Sequence, residues 1–111
     1  MTQRRKRQNA ALMADFGDRL FWLREERERR EPGQHNQGQC AHRLGVTQTK
    51  YSRWEAGIVW PRLIDLLKLA DFFEVSTEYL LRGVMSPPMQ DWLREALLRE
   101  HTELQKPRRF A

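Results

Sequence analysis

A single cysteine among 111 residues leaves no partner for an internal disulfide. That fits a reducing compartment, and a cytoplasmic location is expected. No apolar run approaches the roughly 18 residues that a membrane span needs, so no membrane partner is expected. The N-terminus is basic, but no apolar stretch follows it directly, which argues against a secretory signal. There is no Gly-rich loop to cradle phosphates, so no nucleotide cofactor is indicated. His35, Cys40, His42 and His101 fall at spacings that match no zinc module. They read as surface histidines and an inert buried thiol, and no metal is expected. No Ser-His-acid or Cys-His order with a supporting motif is present, so no catalytic residue and no enzymatic activity are expected. Neither a small-molecule ligand site nor an internal repeat of longer period is visible.

What is plentiful is positive charge. Lys and Arg number 20 against 15 Asp and Glu, for a net charge of +5 and a pI near 10.0. With 40% hydrophobic and 32% charged residues, the chain has the makings of one compact domain with tails. The basic balance favours a polyanionic partner, and its distribution is polarised. Arg43, Lys50, Arg53 and Arg62 stand against Glu55 alone over 36–62, whereas 63–83 is net acidic through Asp65, Asp71, Glu74 and Glu78. Such a polarity would orient one side of the domain toward phosphates.

The basic side coincides with the stretch 36–57, NQGQCAHRLGVTQTKYSRWEAG, which reads as two short helices joined by a tight turn. Asn36 is placed to cap the first helix, with Gln39 three residues on to reach back. Cys40, Ala41 and Leu44 mark its apolar face. Gly45 tolerates the left-handed backbone of a sharp helix exit, and Val46 plugs the turn. Thr47 is placed to cap a second helix that turns Tyr51 and Trp54 inward and Gln48, Thr49, Ser52 and Arg53 outward. A row of amide, hydroxyl and guanidinium groups suits the reading of a polar surface.

These residues resemble the helix-turn-helix of the Cro/CI-type (XRE-like) DNA-binding family. The resemblance rests on Asn36-Gln37, Ala41, Leu44-Gly45-Val46-Thr47 and Tyr51-Ser52-Arg53-Trp54-Glu55-Ala56-Gly57. It continues through Pro61, Leu66-Leu67-Lys68-Leu69-Ala70, Val75-Ser76 and Tyr79-Leu80-Leu81-Arg82-Gly83. It implies an all-α, five-helix, lambda-repressor-like fold, here with an added C-terminal helix. It also implies sequence-specific binding of double-stranded DNA by a small transcriptional regulator, a repressor more often than an activator. The reading helix, at about 48–55, would enter the major groove. Gln48 and Arg53 would meet base edges, Thr49 and Lys50 bases or backbone, and Gln37 a phosphate; Thr47 and Ser52 complete the expected DNA-binding set. Arg24 matches a family Arg that pairs with the Glu matching Glu55. The alternative is an antitoxin or adaptor that uses the same fold mainly to bind protein.

The rest of the chain is read around that motif. Residues 1–9 form a basic flexible arm whose Arg4, Arg5, Lys6 and Arg7 lie along DNA or remain a solvated tail. The helix-turn-helix domain spans 10–83, its first helix running from about Ala10 to Arg29 with Leu12, Phe16, Leu20 and Leu23 inward. Residues 28–35 are about six longer than the family's usual link and read as a loose loop, with Pro32 and Gly33 as breakers. Leu63, Leu66, Leu67, Leu69, Ala70 and Phe73 are expected to centre the core on a fourth helix, and Glu74 stands where a Gly often ends it. Tyr51 is expected in the core with its hydroxyl at the rim. Residues 84–111 comprise a linker and a helix from Pro88 to about Gln105, striped by Met89, Trp92, Leu93, Ala96, Leu97 and Leu104. A homodimer is expected, with Trp92 and Leu97 near its two-fold axis and help from Leu80 and Leu81.

Overall fold

Thr2 opens the first helix by accepting a hydrogen bond from the Arg5 amide, and no proline interrupts that helix as far as Arg30. The computed structural model describes residues 2–84, 95, 96, 98 and 99. Among these, five helices and no strand form the fold: α1 (Gln3–Arg30), α2 (Gln37–Leu44), α3 (Gln48–Glu55), α4 (Leu63–Phe73) and α5 (Thr77–Arg82). The all-helical, five-helix expectation holds. The start of α1 differs: residues 3–9, expected as a flexible arm, continue the helix. The Thr2 cap and the helix-favouring Arg, Lys, Gln and Ala residues from Gln3 to Ala11 supply the local reason. Arg4, Arg5, Lys6 and Arg7 are all exposed on it.

Side-chain caps set most of the other starts. Asn36 and Gln39 form a reciprocal capping box on α2, the Thr47 hydroxyl accepts from the Lys50 amide on α3, and Ser76 accepts from the Tyr79 amide on α5. Each such cap is worth about 1 kcal/mol. The ends are equally local. Gly45 takes the left-handed conformation at φ 75°, and Val46 N–H closes the turn on the Ala41 carbonyl. Glu74 does the same after α4 at φ 57°, the one non-glycine with positive φ among the described residues. A non-glycine residue is strained in that conformation, and the Glu74 carboxylate accepts from Arg27 at 3.0 Å.

The core gathers Phe16, Leu20 and Leu23 of α1, Cys40, Ala41 and Leu44 of α2, and Tyr51 and Trp54 of α3. Leu66, Leu69, Ala70 and Phe73 of α4 and Tyr79 and Leu80 of α5 complete it. Helix α1 packs on both α3 and α5, α2 packs on α3 and α4, and α4 on α5. Two arginines of α1 bind the ends of other helices. Arg19 donates to the Leu80 and Leu81 carbonyls at 2.9 and 2.8 Å, and Arg27 donates to the Phe72 carbonyl at 2.8 Å. These carbonyls are among those a helix cannot satisfy internally.

Four expectations need correction. Leu12, expected inward, is exposed, because on α1 the buried core begins only at Phe16. Leu63 and Leu67 are exposed, not core, because α4 turns Leu66, Leu69, Ala70 and Phe73 inward. Leu80 is fully buried within its own domain, so it offers nothing to a dimer contact. The 31–36 link is not loose. The Glu28 carboxylate accepts from the Gly33 and His35 amides, and Gln39 donates to the Gly33 carbonyl at 2.9 Å. Trp92 and Leu97 lie outside the described residues, as does most of 88–105. Ala96 is buried, and Arg99 Nη2 bonds both carboxylate oxygens of Glu26.

Candidate nucleic-acid interface

Two glycines and an ion pair set the position of α3. A Cβ on Gly17 would stand 2.4 Å from the Glu55 carbonyl oxygen and 2.9 Å from that of Trp54, so α1 and the end of α3 meet backbone to backbone. Gly57, at φ 70°, likewise lies against Ala14 and Met13. Beside this approach, Arg24 Nε donates to Glu55 Oε2 at 2.6 Å and Nη2 to Oε1 at 3.1 Å, with Glu55 1% exposed. The implied pairing of these two residues is present. Gln37 Nε2 joins at 3.0 Å from Glu55 Oε1. One buried carboxylate therefore ties α1, the start of α2 and the end of α3 together.

On this frame the outer face of α3 is polar. Gln48, Thr49 and Arg53 are exposed and Ser52 is half-buried, while Tyr51 and Trp54 are turned inward. The Gln48 side chain lies over the start of α2, where a Cβ on Gly38 would be only 3.1 Å from its Oε1. Thr47 spends its acceptor on the cap, and Ser52 donates its hydroxyl back to the Thr49 carbonyl at 3.0 Å. Among the described residues no ion pair restrains Arg53. Gln37 has one amide hydrogen committed to Glu55 and one left over. It sits at the amino end of α2, where backbone N–H groups favour an anion.

Lys50 departs from this row. Its ammonium lies 3.3 Å from Asp65 Oδ2 and over the Trp54 ring, turned toward α4. Arg62 Nε donates to the same Asp65 oxygen at 3.2 Å. Burial alone would raise the Asp65 pKa. The hydrogen bonds and charges of Arg62 and Lys50 outweigh it and hold the carboxyl below its ordinary 3.8. Neither Asp65 nor Gly17 is identifiable from the motif. Gly17 carried a signal, since glycine inside a long helix costs about 1 kcal/mol relative to Ala and needs a packing reason. Asp65 carried none, because its partners come from two other segments.

Three buried polar groups refine the sequence reading. His35 is 2% exposed rather than on the surface, held by the Glu28 bond to its amide and facing Arg43 at 3.1 Å. Burial first, and then Arg43, push its pKa below 6.5, so the ring is neutral near neutral pH. The Tyr51 hydroxyl is buried rather than at the rim and lacks a hydrogen bond of normal geometry. Burial and the nearby Glu55 carboxylate lift its pKa well above 10.0. Cys40 is buried with its thiol pushed up to about 11 by desolvation, which makes it a poor nucleophile. Within this cluster Arg24, Arg43, Lys50, Arg53 and Arg62 stand against Glu55 and Asp65, both nearly inaccessible. The solvent-facing charge is therefore positive.

Residues 27–80 match the helix-turn-helix family. The chain is 35% identical over 68 residues to an SPbeta prophage-derived uncharacterized HTH-type transcriptional regulator, YonR, of Bacillus subtilis (strain 168). That stretch covers 61% of this chain and 57% of the relative, so the chain spans less than two thirds of the curated protein it matches. No solved structure gives a match.

Proposed function

We propose that this chain, whose residues 27–80 match the helix-turn-helix family, is a Cro/CI-type domain that binds double-stranded DNA sequence-specifically and regulates transcription. The observation that carries this reading is the exposed row Gln48, Thr49 and Arg53 on α3, beside the anion-favouring start of α2. A helix fits the major groove, where each base pair displays its own donor and acceptor pattern. Arg53 spans guanine O6 and N7, and Gln48 pairs with adenine. Thr49 and the remaining Gln37 hydrogen meet neighbouring groups, the latter a phosphate. Lys50, drawn toward Asp65, serves mainly to hold α3 against α4. The basic first turns of α1 add sequence-independent phosphate contacts.

The regulator acts by occupancy, as a cytoplasmic repressor, and as a homodimer on paired half-sites, since one short reading helix covers too few base pairs for tight selection. Selection of binding sites from random duplex DNA tests this reading. One enriched motif, with altered preference in Arg53→Ala, supports it. No enrichment above background sinks it and favours the antitoxin or adaptor alternative.

A further inference from the structure

Gly38 is the second residue of α2, and its backbone is that of an ordinary helical residue. Glycine ranks below every residue but proline as a helix former. Neither backbone conformation nor propensity therefore calls for it here. Space does. A Cβ at this position would stand 3.1 Å from Gln48 Oε1, 3.6 Å from Gln48 Cδ and 3.5 Å from Asn36 Oδ1. The end of the Gln48 side chain rests where a side chain on residue 38 would begin.

The neighbours of Gly38 are engaged elsewhere. Gln37 turns its amide to Glu55. Gln39 uses both ends of its amide, accepting from the Asn36 N–H and donating to the Gly33 carbonyl, each at 2.9 Å. Asn36 Oδ1 accepts from the Gln39 N–H at 2.8 Å. Position 38 is thus the bare step in a first turn whose other side chains have fixed partners. A methyl group there would be caught between two oxygens. Asn36 is held by the capping box, so the exposed Gln48 is the side that would give way.

We propose that Gly38 is a specificity-determining positioning residue: the gap it leaves in α2 sets the conformation in which Gln48 meets a base edge. This role rests on the proposed reading of DNA by α3, whereas the packing of Gln48 on Gly38 does not. A long side chain held in place before binding loses less freedom on docking. An amide that pairs with adenine in two-pronged fashion must bring its oxygen and its nitrogen to N6 and N7 together. A Cβ on residue 38 forces the Gln48 amide to move by a few tenths of an ångström, which disturbs both bonds at once. Arg53 lies beyond the first turn of α3 and is not among the atoms nearest position 38. Its base pair should be untouched.

Site selection from random duplex DNA with the full chain tests the proposal in Gly38→Ala, Gly38→Val, Gln48→Ala and Gly38→Val/Gln48→Ala. Gly38→Ala should lower the discrimination at one base pair per half-site by about threefold, and Gly38→Val by about tenfold. That base pair should be the one relaxed in Gln48→Ala, and the one relaxed in Arg53→Ala should keep its wild-type preference. Once Gln48 is alanine, Gly38→Val should change nothing further. Gly38→Ala should unfold at or above the wild-type temperature, because alanine favours the helix, so its altered preference is not a loss of fold. Unchanged preference in both Gly38 variants overturns the proposal, as does an equal loss at every base pair or an effect of Gly38→Val that persists without Gln48. Proton NMR of the free chain separates this from the functional reading. A nuclear Overhauser contact between the Gly38 α-protons and the Gln48 side chain is expected, and its absence overturns the proposal whether or not DNA binds. If the contact is present but no DNA sequence is enriched, the functional reading fails and the role of Gly38 in specificity falls with it, while the packing stands.

Discussion

Arg24 and Glu55, 31 residues apart in sequence, make a two-pronged hydrogen bond inside the domain, the Arg24 and Glu55 side chains being only 10% and 1% exposed. The pair fixes the end of α3 to α1, and Gln37 carries the same carboxylate to α2. Removing one member of a buried pair strands the other. Glu55→Leu should therefore lower stability by about 3–5 kcal/mol. Arg24→Leu with Glu55→Leu should recover part of that loss. Urea denaturation of the two single variants and the double variant measures the coupling, and a strictly additive double variant would refute it.

Arg53 and Lys50 should separate recognition from support. Arg53→Ala is expected to weaken specific binding by about 1–3 kcal/mol and relax the preference at one base pair per half-site. Its stability should be unchanged, because Arg53 is exposed. Lys50→Ala should lower stability by roughly 1 kcal/mol, through the loss of an Asp65 partner. Its base preference should stay that of the wild type. Site selection and thermal unfolding of both variants check the division.

At Gly17 two effects oppose one another. Helix propensity favours Gly→Ala by about 1 kcal/mol, but the new methyl would stand 2.4 Å from a backbone oxygen. The clash dominates, because neither helix backbone can yield without moving the core. Gly17→Ala should cost about 3 kcal/mol or more, readable as a lowered urea midpoint.

Acid should act on the domain in two windows. The His35 pKa is depressed in the fold, so the unfolded chain takes up the proton first, and stability declines as pH falls below 6.5. Asp65 is held below 3.8, so its contribution is complete above that value and disappears as pH falls through the lowered folded one. His35→Gln should flatten the upper window only, and Asp65→Asn the lower only. Denaturation midpoints collected from pH 8 to 2 distinguish them.

Deleting residues 1–7 should weaken binding to all duplexes alike. It should also reduce the log–log salt slope by about 0.9 for each phosphate that the helix end no longer neutralises. An unchanged slope would leave Arg4, Arg5, Lys6 and Arg7 as a solvated helical end.

What could be read in the sequence was local. Asn36 with Gln39, Thr47, Gly45 and Ser76 act on backbone within five residues, and each does what its chemistry announces. The outward row of α3 followed from helical spacing. The Arg24–Glu55 pair was accessible only through resemblance. Arg19 on the α5 carbonyls, Lys50 on Asp65 and Glu28 on the 33–35 amides were not legible, since each joins groups whose proximity the fold creates. Leu63 and Leu67 show a different limit: apolar spacing defines a stripe but does not say whether its own domain covers it.

Arg19 finds the Leu80 carbonyl 61 positions later in the chain. On a translating ribosome adding ~5–20 residues per second, α1 therefore emerges roughly 3–12 s before its acceptor exists. The part of α1 that packs on α5 stays uncovered during that interval. Closure comes late and joins the first helix to the last of the five, so the nascent domain acquires its α1–α5 contacts only at the end of its synthesis.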